Sequence, residues 1–163
     1  MSFKLLVMDV DGTLTDGKIY ITEKGEAFKA FDVKDGYGIK NILHNIGMKS
    51  AIITGRISEI VERRAQELEV DWVYQGVADK RECLQNLMDK HRYTKEEVIY
   101  VGDDLNDLEC MQMAGYSCCP ADAHERIKEI ADYVAGKCGG AGAVREVIDM
   151  LNAKEYREQG GLK

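Results

Sequence analysis

Residues 5–16 read Leu-Leu-Val-Met-Asp-Val-Asp-Gly-Thr-Leu-Thr-Asp, an apolar run that ends in two carboxylates two positions apart and then a glycine. Side chains alternate along a strand, so Asp9 and Asp11 point to the same side at its C-terminal tip. Two like charges that close are unfavourable unless a cation, a shared proton or a phosphoryl-transfer role makes use of them. A chain built on such a strand must fold so that this acidic tip meets its compensation.

The rest of the chain alternates short apolar runs with segments of helical period. Strands are expected at Lys4–Val10, Lys49–Thr54, Trp72–Gln75, Val98–Gly102, Tyr116–Cys119 and Tyr133–Ala135. Between them, apolar residues recur at helical spacing: Ile39, Ile42, Leu43 and Ile46; Ile57, Ile60, Val61, Ala65 and Leu68; Cys83, Leu84, Leu87 and Met88; Val144, Val147, Ile148 and Leu151. Thr94 and Glu97 have the spacing of a capping box before the Val98 strand. Strands without clean alternation, each followed by a helix, predict a doubly wound parallel α/β sheet covered on both faces. Ligands of such sheets bind outside the carboxyl ends of the strands. There the polar clusters Asp9/Asp11, Thr54-Gly55-Arg56 and Gly102-Asp103-Asp104 converge on one rim.

Residues 18–33 break the alternation. Two short runs flank Glu23-Lys24-Gly25-Glu26 and predict a β-hairpin that exposes Tyr20, Phe28 and Phe31 beside the rim. The expected organisation is a single domain over 1–153, with the hairpin as an appendage and 154–163 as a flexible polar tail.

At 163 residues the chain is long enough to bury a core, and it has no apolar run long enough to span a membrane. The start turns acidic too soon for a secretion signal. A net charge of −7, with no basic stripe, argues against nucleic acid as a partner. Five cysteines without a Cys-x-x-Cys spacing suit reduced thiols in the cytoplasm, with Cys118 and Cys119 packed in the core.

Taken singly, the polar clusters are ordinary. Asp103 reads as a helix N-cap, Lys80 as a solvated lysine, and Thr54-Gly55 as a strand-to-helix turn. Gly139-Gly140-Ala141-Gly142 fits a phosphate cradle or a flexible hinge equally. Taken in order, Asp9-Val10-Asp11-Gly12-Thr13-Leu14-Thr15, Ile53-Thr54-Gly55-Arg56, Ala78-Asp79-Lys80 and Gly102-Asp103-Asp104-Leu105-Asn106-Asp107 resemble the four motifs of the haloacid dehalogenase-like hydrolases.

That resemblance implies a Rossmann-like fold and a Mg²⁺ held by Asp9, Asp103 and the backbone carbonyl of Asp11, with Asp104 or Asp107 behind them. Magnesium suits such a set, since it takes hard oxygens and one or two carboxylates plus substrate phosphate. The implied roles are Asp9 as nucleophile, Asp11 as acid and then base, and Thr54 and Lys80 as holders of the transferring phosphoryl group. His44, His91 and His124 are expected off the rim.

No cap domain interrupts the motifs. With Val33-Lys34-Asp35-Gly36-Tyr37-Gly38 and the Gly139–Glu146 segment, this narrows the resemblance to the uncapped members that act on sugar-acid phosphates. The implied substrate is 3-deoxy-D-manno-octulosonate 8-phosphate, on the route to lipopolysaccharide, and the implied assembly is a homotetramer. A nine-carbon ulosonate 9-phosphate is the alternative. Arg56 following Thr54-Gly55 favours the eight-carbon acid, with Gly55 and Arg56 as substrate-binding residues and Arg64 as a further candidate if its helix faces the rim. Two other readings use the same fold. A non-catalytic oligomerisation domain has no need of Asp9, Asp11, Thr54, Lys80 and Asp103 together. A phospho-receiver domain carries its aspartate on a middle strand and lacks the Gly102–Asp107 cluster.

Overall fold

The computed structural model describes residues 3–158. The first strand, β1 (Leu5–Met8), leads into a hairpin of β2 (Tyr20–Thr22) and β3 (Gly25–Phe28). Five more strands follow: β4 (Lys49–Ile53), β5 (Trp72–Tyr74), β6 (Val98–Val101), β7 (Tyr116–Cys119) and β8 (Tyr133–Val134). Apart from the hairpin they form one parallel sheet in the order β5-β4-β1-β6-β7-β8. All six expected sheet strands are present, several a residue or two shorter at their ends. Met8 stands opposite Ile52 and Val101, so the tips of β4, β1 and β6 end level and their following loops share one rim.

The sheet's central strands, β1 and β6, are apolar and buried at every position, as a sheet covered on both faces requires. Leu6, Met8 and Ile52 face one layer, made by α1 (Val33–Tyr37) with its continuing π-helical turn (Gly38–Leu43), α2 (Glu59–Glu67) and α6 (Ala143–Glu158). Leu5, Val7 and Ile53 face the other, made by α3 (Lys80–His91), α4 (Leu108–Met113) and α5 (Glu125–Ile130). The helical periodicities supply these layers: Ile39, Leu43, Val61, Ala65, Val147 and Ile148 on one side, Leu84, Leu87 and Met88 on the other. Cys118 and Cys119 are fully buried on opposite faces, as packing residues should be. The Thr94–Glu97 capping box forms as expected.

Three expectations need correction. Ile57 is not a core residue of its helix but is 81% exposed. Ser58 caps α2, its Oγ accepting from the Val61 amide, so Ile57 lies before the helix begins. Phe31 does not stand out on the hairpin; it packs against the α1/α2/α6 core with the Arg64 guanidinium 5.8 Å from its ring centre. The segment taken as a tail from 154 continues α6 through Glu158, and residues 159–163 lie outside the described residues. Between β1 and α1 there is only the hairpin, and between α2 and α3 only β5. Among the described residues no helix is long and apolar enough to cross a membrane.

Candidate active site

The loop after β1 is wound tightly enough to aim its acidic residues. The Asp9 amide extends the strand by donating to the Val101 carbonyl (3.0 Å), and the amides of Thr13, Leu14 and Thr15 all converge on the Val10 carbonyl. Gly12 takes φ +93°, a conformation costly to any residue with a Cβ. A Cβ there would also stand 2.0 Å from Oδ2 of Asp103. Thr13 Oγ1 donates to the other oxygen of Asp103 at 3.0 Å, so the loop locks the orientation of that carboxylate.

The Gly139-Gly140 segment lies against this loop from outside. The Gly140 amide donates to the Thr13 carbonyl, and a Cβ at Gly139 would come within 1.9 Å of the Gly12 carbonyl oxygen. The glycines thus permit backbone-to-backbone packing that braces the first motif. Asp35, buried, fixes the start of α6 by accepting from the Arg145 amide at 2.7 Å.

The third motif arrives from α3. Asp79 caps the helix through the Glu82 amide, which leaves Lys80 at its first turn, buried and pointed at the rim. Its Nζ lies 2.9 Å from Asp9 Oδ1 and 2.8 Å from Asp107 Oδ1. Asp107 is wholly buried, accepting also from the Tyr100 hydroxyl and the Asp103 amide. It is the brace behind Lys80 and Asp103. Asp104 lines the rim beside Asp103, its carboxylate capping the Leu105–Asp107 turn.

The charge balance is unfinished. Burial, then the Asp107 charge, pushes the Asp9 carboxyl up to about 6 despite Lys80. Burial, then Asp9 and Asp107, pushes Asp103 up to about 7. Burial opposes the charge of Lys80, but Asp9 and Asp107 outweigh it and hold the ammonium above its usual range. Ligand oxygens of Asp9, Asp103 and Asp107 all lie within 4.8 Å of one another. An all-oxygen set with surplus negative charge, beside a glycine whose missing Cβ admits the Asp103 carboxylate, fits a hard divalent cation such as Mg²⁺.

Asp9, Asp11, Thr54, Arg56, Asp103 and Asn106 line a cavity of about 290 Å³ that includes Gly55 at its edge. Thr54 is buried, its backbone tied to the Tyr74 carbonyl and the Val77 amide. Arg56 is half exposed, its Nε 3.9 Å from Asp11 Oδ2. All the expected rim residues therefore meet. Arg64 does not join them, since it packs on Phe31 and bonds Glu67. His44 is exposed and His91 packs against Trp72, but His124 is closer than expected, its amide donating to the Asp103 carbonyl.

Three residues that sequence reasoning overlooked complete the site. Lys29 and Glu26 come from the hairpin: Lys29 Nζ pairs with Asp11 Oδ1 and with Glu26 Oε1 at 3.1 Å. Ser58 Oγ, at the start of α2, donates to the second oxygen of Glu26. The hairpin is thereby pinned to the rim.

Strand order, strand-tip carboxylates and the buried lysine define the class of haloacid dehalogenase-like hydrolases, and residues 70–148 match the family model of that description. KdsC, a 3-deoxy-D-manno-octulosonate 8-phosphate phosphatase of Escherichia coli K12, is 46% identical over 92% of this chain and 79% of its own length. The cobalt-bound deoxy-D-mannose-octulosonate 8-phosphate phosphatase from Haemophilus influenzae superposes with a TM-score of 0.91 at 37% identity, covering 94% of this chain and 90% of that one. The Moraxella catarrhalis phosphatase, solved with magnesium, phosphate and KDO, gives a TM-score of 0.89 at 41% identity over 94% and 87% of the two chains. The chain belongs to this hydrolase family, within the group of 3-deoxy-D-manno-octulosonate 8-phosphate phosphatases.

Proposed function

We propose that this chain hydrolyses 3-deoxy-D-manno-octulosonate 8-phosphate to the free sugar acid and inorganic phosphate, with Mg²⁺ as cofactor. The observation that carries this reading is the Asp9–Lys80 pair with Asp103 beside it at the strand-tip rim, in a chain 46% identical to KdsC. The cavity, about 290 Å³ and lined by Asp9, Thr54 and Arg56, has room for a phosphoryl group, and the uncapped rim leaves the eight-carbon body space to extend outward. Arg56 offers a guanidinium fork suited to the sugar's carboxylate.

Asp9 and Asp103 hold the Mg²⁺, with the backbone of Asp11. When bound, the cation shields the phosphate dianion from the attacking carboxylate. An Asp9 oxygen bonds to phosphorus while the ester P–O bond breaks, and the departing alkoxide takes a proton from Asp11. Water then attacks the phosphorus of the aspartyl-phosphate, gives its proton to the Asp11 carboxylate, and breaks the P–O bond to Asp9. Thr54 and Lys80 hold the equatorial oxygens, with Lys80 already fixed by Asp107.

The protein works as a cytoplasmic homotetramer. This rests on the resemblance and on an apolar patch of the hairpin and α1, where Ile21, Phe28, Val33 and Tyr37 are all more than half exposed. In such an assembly, as the resemblance implies, neighbouring subunits help close each site.

A substrate panel with Mg²⁺ tests the function. The eight-carbon ulosonate phosphate should be preferred over the nine-carbon ulosonate 9-phosphate and hexose phosphates, and EDTA or Asp9→Asn should stop phosphate release. Preference for the nine-carbon ester would reassign the substrate. Equal rates across the panel would leave only a general phosphatase.

A further inference from the structure

Lys29 follows β3 with its side chain only 2% exposed, and its ammonium pairs with the carboxylates of Asp11 and Glu26. Burying an ammonium costs several kcal/mol unless it is well paired, so this placement is held by Asp11 and Glu26 together. Glu26 is itself fixed, one oxygen on Lys29 and the other on Ser58 Oγ, the cap of α2. The two oxygens of Asp11 thereby differ. Asp11 lines the cavity; its Oδ1 is taken by Lys29, while Oδ2 has Arg56 Nε 3.9 Å away.

We propose that Lys29, held by Glu26, is a positioning residue that pins Asp11 Oδ1 and so presents Oδ2 to the leaving-group oxygen. This rests on the phosphatase reading above, in which Asp11 hands its proton to the departing alkoxide. The hairpin that replaces a cap then serves proton transfer as well as assembly. Only a basic leaving group needs that proton. An alkyl ester such as the octulosonate 8-phosphate departs as an alkoxide, whereas p-nitrophenyl phosphate releases a stable phenolate unaided.

The test compares kcat/KM for these two esters in the full chain with Mg²⁺, because kcat/KM covers the steps only through release of the first product. Lys29→Met should lose about 100-fold or more on the alkyl ester and no more than about tenfold on the aryl ester, the range that misplacing a general acid removes. Glu26→Gln keeps the shape and loosens Lys29, so it should show the same selectivity to a smaller degree, and it carries the test if Lys29→Met does not fold. Equal losses on both esters, or no loss on the alkyl ester, overturn the inference while the phosphatase reading stands. A wild-type chain that hydrolyses neither ester overturns both.

Discussion

Gly12 lies so close to Asp103 that the carboxylate occupies the space a side chain at position 12 would need. The contact joins the first and fourth motifs, and no larger residue can replace Gly12 without turning Asp103 away from Asp9. Gly12→Ala should therefore weaken Mg²⁺ binding, measured by titration calorimetry, and lower kcat/KM by about 100-fold, as ångström-scale misplacement of a reacting group does. The fold should survive, because the β1 core residues are untouched.

Without metal, stability should fall as pH rises. Asp9, near 6, and Asp103, near 7, both sit above the ordinary carboxylate value of 3.8. The folded chain thus binds more protons than the unfolded chain between about pH 4 and 7, and stability decreases across that window. Asp35, pushed up to about 6 chiefly by burial, acts in the same direction far from the metal. Thermal melts in EDTA should lose roughly 5 °C or more from pH 5 to pH 7.5. Mg²⁺ should restore much of this at pH 7.5 and little at pH 5, leaving the share due to Asp35.

Removal of Lys80 should damage both stability and turnover. Lys80→Met leaves Asp9 and Asp107 facing each other in a buried site, a change that costs about 3–5 kcal/mol when one partner of a buried pair is lost. Urea denaturation measures that cost. Lys80→Arg should not restore activity, since a planar fork cannot occupy the point between two carboxylates that an ammonium fills.

Gly139→Ala tests the brace on the first motif. Its Cβ would meet the Gly12 carbonyl at 1.9 Å, so the loop must shift although position 139 touches no reacting atom. The expected result is a loss of about 100-fold in kcat/KM with Asp9, Asp11 and Asp103 all intact. A variant that hydrolyses substrate at the wild-type rate would show that the loop tolerates the displacement.

Much of the rim was legible because strand tips in a parallel sheet converge by rule. Asp9, Thr54 and Asp103 each follow an apolar run, and Lys80 opens a periodic helix. Lys29 and Glu26 were not legible, since each reads as an ordinary charge in an alternating hairpin. Only the fold-back of that hairpin onto Ser58 brings them to Asp11. Ile57 misled because its spacing matches the helix it precedes, although Ser58, three residues before Val61, marked where that helix starts. Phe31 misled for a related reason: strand β3 stops at Phe28, and by Phe31 the chain has turned to approach α1.

The Gly139-Gly140 contact also sets an order of events at the ribosome. The loop bearing Asp9 and Asp11 is made well before the backbone that braces it. A nascent chain therefore displays its acidic pair long before it can hold Asp103 beside it. Catalytic competence waits for that brace, so the unfinished enzyme carries the chemistry's residues without its activity.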